Sequence, residues 1–200
     1  MTNEGSSPER IRGQQRLRLK RLGMSGGSYV VTFSLVSFCA WAGLISLPVL
    51  LAYLAMILAV NGTFAALTLS NINLRFRDPS MTMAQILLAF PPPLFVMFFI
   101  DEGQARAIFM LISIIPILYG MLALNTRQYI IVAVGGVAQY GVLIGALAWW
   151  RPGILVKSLE VFQAIALILV MAEIAMIGAY ISGLREKLRR RNDELNDALE

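Results

Sequence analysis

Six long apolar runs dominate this chain, at roughly residues 24–43, 47–69, 81–100, 107–124, 129–150 and 161–183. Each approaches the ~20 residues that an α-helix needs to cross a hydrocarbon core about 30 Å thick. Lipid offers no partner to an unpaired amide, and runs this long without alternating polarity do not suit barrel strands. The pattern predicts an all-α membrane protein built as a six-transmembrane-helix bundle. Composition agrees, because 58% of residues are hydrophobic and only 14% are charged, against roughly 25% charged in soluble domains.

The basic residues set an orientation. Fourteen of the seventeen Lys and Arg fall on one side of the six runs. Arg10, Arg12, Arg16, Arg18, Lys20 and Arg21 precede the first run, Arg75 and Arg77 lie in the second connection, and Arg127 lies in the fourth. Arg185, Lys187, Arg189, Arg190 and Arg191 follow the sixth. The other side keeps only Arg106, Arg151 and Lys157, beside the acidic pair Asp101 and Glu102. Cytoplasmic loops carry the excess of positive charge, which predicts a multi-pass protein of the bacterial inner (cytoplasmic) membrane with both termini in the cytoplasm. Trp41, Trp149 and Trp150, at the outer ends of their runs, read as headgroup-level anchors. The net charge of +5 follows from this topology, so the lipid bilayer is the expected partner and nucleic acid is not.

Several chemistries are excluded early. The absence of histidine removes the usual haem ligand, the phosphoacceptor histidine and the His-based catalytic triad. The single cysteine, Cys39, lies inside the first apolar run, so no intrachain disulfide can form and a buried thiol is expected. Acidic residues do not cluster in a metal-binding pattern, so no metal, no cofactor and no catalytic residue is expected within the chain. The outer connections, at 44–46, 101–106 and 151–160, leave no room for a folded external binding domain. Any outside signal would have to be sensed within the bundle or at its lipid surface. Short connections also make consecutive spans antiparallel neighbours.

Polar residues at membrane depth are the candidate sensing groups. Glu173 interrupts the sixth run, where a charged carboxylate costs roughly 2.5 to 3.5 kcal/mol on insertion scales. It is expected to face the bundle, either answering a ligand or proton or hydrogen-bonding a neighbour such as Gln139 of the fifth run. Asn61, Thr63 and Gln163 are further polar groups at depth, and Gly135 and Gly136 permit close helix approach. Pro91, Pro92 and Pro93 stand in the middle of the third run, where they remove amide donors and free upstream carbonyls. A kink or break follows, either lining a cavity for a small hydrophobic ligand or simply shaping the bundle. Pro116 predicts a milder bend in the fourth run. Asp78 or Ser80 is a candidate cap for the third helix.

After residue 183 the sequence changes to LREKLRRRNDELNDALE, with Leu184, Leu188, Leu195 and Leu199 spaced at 4, 7 and 4. A seam of Leu184, Leu188, Asn192, Leu195 and Leu199 repeats after 11 residues and keeps only Asn192 polar, whereas the seven-residue register places Arg191 at a core position. A C-terminal cytoplasmic coiled-coil helix is expected. It runs to Glu200 with no helix-ending Gly or Pro, which predicts continuation into a further domain. The organisation expected is a basic cytoplasmic tail over 1–22, a six-helix domain over 23–183 and the start of a signalling helix over 184–200.

The start QQRLRLKRL, the cytoplasmic loop LRFRDPSMTMAQ and the exit LREKLRRRNDELNDALE, together with six spans, resemble the six-transmembrane membrane-associated sensor (MASE-like) domains that precede GGDEF domains in bacterial diguanylate cyclases. The exit also resembles signalling helices ahead of histidine kinase and class III adenylate cyclase domains. The resemblance implies an input module that anchors, dimerises and regulates an enzyme making cyclic di-GMP from GTP. It implies a parallel homodimer through the sixth helix and the exit helix. No GGDEF signature occurs in the chain, so no active-site residue carries over. A small membrane transporter or channel is the alternative, favoured by the triple proline and Glu173.

Overall fold

The computed structural model describes residues 8–76, 78–120 and 123–199. Arg77, Glu200 and the side chains of Leu199 and of Arg10, Arg12, Arg16, Arg18, Lys20 and Arg21 lie outside the described residues. Among the described residues the regular structure is helical: α1 Pro8–Trp41, α2 Leu47–Leu69, α3 Thr82–Ala89, α4 Pro91–Phe99, α5 Gly103–Ser113, α6 Ile115–Gly120, α7 Thr126–Trp150 and α8 Lys157–Leu199. Short 3-10 turns occupy Ile72–Arg75 and Pro152–Ile154.

Four stretches are long and apolar enough to cross a membrane: α2, α3 together with α4, α7 and most of α8. The remaining two runs yield shorter apolar helices, Tyr29–Trp41 and Gly103–Ile117. The shortfall has local causes. Ser25, Gly26, Gly27 and Ser28 dilute the start of the first run, although α1 passes through them unbroken. Pro116 cuts the fourth run, because it removes the amide that would bond the Ile112 carbonyl. Accordingly α5 ends at Ser113 and α6 begins at Ile115.

The third run forms the centre of the bundle. α3 and α4 pack against α2, α5, α6 and α7, while α1 pairs with α2 and α8 with α7. Of its apolar window 39% is buried, against 22–28% for the other three. The prolines divide it at Phe90, which keeps helical angles of φ −73 and ψ −43, so the break is a bend rather than an unwound segment. Pro91 opens α4, where a missing amide is harmless. The carbonyl of Leu87, freed by Pro91, instead accepts from Gln139 Nε2 of α7 at 3.3 Å. Gly135 admits this approach: a Cβ there would stand 2.6 Å from Leu87.

Tyr53, Phe90, Val96, Met97, Phe109, Val132 and Met171 lie in the buried core, and Cys39 is buried as expected. The exterior is apolar as well, with Val30, Leu51, Leu58, Val142 and Leu169 exposed. A surface of this kind is compatible with contact to a lipid bilayer. Trp41, Trp149 and Trp150 are among its most exposed side chains.

Candidate functional site

The polar groups that the fold brings together sit at the end of the bundle opposite the C-terminal extension. There α4 ends at Phe99 and leaves carbonyls without intrahelical partners. Arg151, just past α7, donates from Nη1 to Phe98 O at 2.7 Å and from Nη2 to Asp101 Oδ1 at 2.6 Å. Arg106, in the first turn of α5, donates from Nη1 to Ile100 O at 2.8 Å and to Asp101 O at 3.1 Å. Two guanidinium groups thus cap the central helix, where the dipole also favours cations.

Arg106 goes further. Its Nη2 is ion-paired with Glu160 Oε1 in the first turn of α8. The two side chains are only 1% and 5% exposed, in contrast to the Arg151–Asp101 pair at 29% and 63%. Two unit charges removed from water need close pairing and further hydrogen bonds to be tolerated. Around this pair, Tyr140 of α7 places its hydroxyl 3.4 Å from Glu160 Oε2 and 3.2 Å from Gln163 Oε1. Gln163 Nε2 donates to Gly103 O at 2.9 Å. Gly103 favours this close approach, since a Cβ there would stand 2.6 Å from the end of the Leu159 side chain and force it to shift. α5, α7 and α8 are therefore tied by one charge-balanced network, and Arg106 carries it on to the end of α4.

Beside the network, α7 and α8 enclose a groove of about 330 Å³ lined by Val137, Tyr140, Gly141, Glu160, Ala164 and Ile168, among others. At the opposite end a smaller polar knot joins α1 to the α2–α3 connection. Gln15 and the buried Asn73 exchange amide hydrogen bonds at 2.8 and 3.2 Å, and Asn73 Nδ2 also donates to Pro79 O at 2.8 Å. Arg185, as α8 leaves the apolar region, donates to Leu124 O.

The residues singled out from sequence are dispersed. Gln139 holds Leu87 O, so it is not the partner of Glu173. Asn61 bonds Ile57 O one turn back in its own helix at 2.8 Å. Pro92 and Pro93 are buried in the centre of the bundle, with Pro91 at the start of the same helix. Asp78 and Ser80 do not cap α3; Asp78 accepts from the amide and hydroxyl of Ser80, and the capping position is Met81. Gln163 is the exception, joining the buried network.

Glu173 lies apart from these groups. Within the single chain it does not face other helices but lies on the exposed side of α8. α8 turns Leu167, Met171, Ile174 and Gly178 inward, and the helical period then carries residue 173 to the other face. Leu169 and Met176, its neighbours on that face, are 62% and 65% exposed. Farther along, Leu184, Leu188 and Leu195 are exposed too.

Sequence reasoning used Arg106 and Glu160 only to orient the chain and to bound a connection. The signal that could have found them is opposite charge at the same membrane end, each within a turn or two of an apolar run. Among the described residues no group of three or more Cys, Asp or Glu is placed to hold a metal ion. No protein-family model, curated protein or solved structure matches the chain.

Proposed function

We propose that the chain is a membrane-embedded sensory and anchoring module of six spans, with both ends in the cytoplasm of a bacterium. In this reading it dimerises and regulates a C-terminal nucleotide-signalling enzyme, of the kind in which such modules precede GGDEF diguanylate cyclase domains. The observation that carries the reading is α8, one uninterrupted helix of 43 residues. At 1.5 Å per residue it is about 65 Å long, roughly twice the hydrocarbon thickness. Its first turn holds the buried Glu160, and its last sixteen residues form the charged, leucine-striped exit. Such a helix joins events at one membrane face to whatever follows on the other.

A parallel homodimer through α8 accounts for the exposed stripe. Leu184, Leu188, Asn192 and Leu195 are exposed in the single chain, and Glu173 lies above them on the same helix. An unpaired carboxyl facing acyl chains is unfavourable by several kcal/mol, whereas a second copy supplies a polar partner. The kinase and class III cyclase alternatives use the same mechanics and differ only in the attached domain. A transporter or channel gains less support, because Pro92 and Pro93 are buried in the bundle and the Leu87 carbonyl, freed by Pro91, is occupied by Gln139.

Single cysteines test this in membranes. Cysteine at Leu188 or Leu195 should cross-link between chains, while cysteine at Arg190 or Asp197 should not. Equal, weak cross-linking at all four positions, in a longer protein that remains active, overturns the dimeric-coil mechanism. A periplasmic signal from reporters fused at residue 1 or 200 overturns the six-span topology.

A further inference from the structure

We propose that the groove between α7 and α8 binds a neutral, hydroxyl-bearing amphiphile, its hydroxyl donating to Glu160 and its alkyl body lying along the groove. The floor is polar at one end only, where Glu160 and Tyr140 are buried, while Val161 and Ile168 at the mouth are half or more exposed. The volume of about 330 Å³ falls within the ~300–1,000 Å³ of small-molecule sites. From Glu160 to Ile168 the helix rises about 12 Å, enough for a medium-length alkyl chain.

The headgroup chemistry follows from the hydrogen bonds. Glu160 Oε1 is held by Arg106. Oε2 has only the Tyr140 hydroxyl, 3.4 Å away, and that single proton lies closer to Gln163 Oε1, at 3.2 Å. Good O–H···O bonds are about 2.5–3.0 Å, so Oε2 of Glu160, a residue that lines the groove, accepts one long hydrogen bond and has room for a shorter one. A hydroxyl supplies one. A charged headgroup does not fit, because Arg106 and Glu160 already balance and a third charge would be buried uncompensated.

The proposal rests on α7 and α8 spanning a bilayer, which the experiment tests separately. The chain is reconstituted in phosphatidylcholine vesicles and irradiated with a decanol carrying a diazirine near its tail. Labelling should saturate, map to residues 137–144 and 161–168, and be displaced at least tenfold better by 1-decanol than by decanoate, decylammonium or decane. Gly141→Leu should fill the groove and reduce labelling at least tenfold. A Cβ at Gly141 meets nothing within 4 Å, so the backbone accommodates the change. Labelling that persists in G141L, or that decane displaces as well as decanol, marks ordinary lipid contact and overturns the proposal. The competition series on the unaltered chain decides the matter independently of the variant. Release of the protein from vesicles by alkaline carbonate overturns the membrane reading instead, and the groove proposal with it.

Discussion

Glu160→Gln isolates what the buried ion pair contributes. The substitution preserves shape and a hydrogen-bonding side chain but leaves the Arg106 guanidinium, 1% exposed, without its counter-charge. Removing one member of a buried pair costs about 3–5 kcal/mol. Arg106 Nη1 keeps the Ile100 and Asp101 carbonyls, which places the expected loss near the lower end, about 3 kcal/mol. The double variant Arg106→Met with Glu160→Met removes both charges together. It gives up the two carbonyl contacts, at about 1 kcal/mol each, but leaves no bare charge, so it should be less destabilised than the sum of its single variants by about 2 kcal/mol. Asp101→Asn is the internal control. Its pair with Arg151 is largely exposed and should change stability by less than about 1 kcal/mol. Equilibrium unfolding in mixed micelles, followed by helicity, measures all of these. Glu160→Gln unfolding within 1 kcal/mol of the parent, or strictly additive single costs, would refute the assignment of this pair as the anchor of α8.

Three further outcomes follow from the geometry. A Cβ at Gly178 would stand 2.6 Å from the Tyr129 ring, so Gly178→Val should destabilise the bundle by about 1–3 kcal/mol in the same assay, whereas Gly141→Ala should be neutral. Asn73→Ala removes the hydrogen bonds that Asn73 makes with Gln15 and Pro79 O; it should cost about 1–3 kcal/mol and speed proteolytic cleavage between residues 70 and 82. Glu173→Leu should have two effects of opposite sign: better membrane insertion, by about 2.5 kcal/mol or more, and weaker cross-linking at Leu188.

The helical class and the central bend were legible in the sequence because both rest on strong local physics. Apolar runs of spanning length report the solvent of the backbone, and Pro91, Pro92 and Pro93 remove donors whatever surrounds them. Even the demand for partners to the freed carbonyls could be stated beforehand; the answer for one of them, Gln139 on Leu87, needed the fold. The polar network was not legible. Arg106 and Glu160 are 54 residues apart, and nothing local distinguishes them from ordinary flanking charges. They become a pair because α5 and α8 meet where Gly103 allows contact. The surroundings of Glu173 were not legible for a related reason: a carboxyl at membrane depth must be accommodated, but that rule does not say whether its own chain or a second copy does so.

Glu160 and Glu173 lie on one rigid helix, 13 residues apart. At 100° per residue their directions differ by about 140°, with an axial separation of about 20 Å. The inward face of α8 cannot hold both. With Glu160 turned to Arg106, Glu173 is directed away from α7, and a rotation of α8 that brought Glu173 toward the bundle would carry Glu160 off its guanidinium. Each carboxyl is unfavourable when unpaired at depth, so intermediate rotations, which satisfy neither, lie above both end states. In the proposed homodimer the outward carboxyl would gain a partner from the second copy, which would offset part of the cost of turning Glu160 off Arg106. That is the bistable element a switch requires. The exit helix offers the matching pair of packings, since its leucines fit an 11-residue seam while a seven-residue seam draws in Arg191. In the proposed dimer, a molecule in the groove that donates to Glu160 would stabilise one rotation of α8, and the same rotation would select which seam the exit presents to its neighbour.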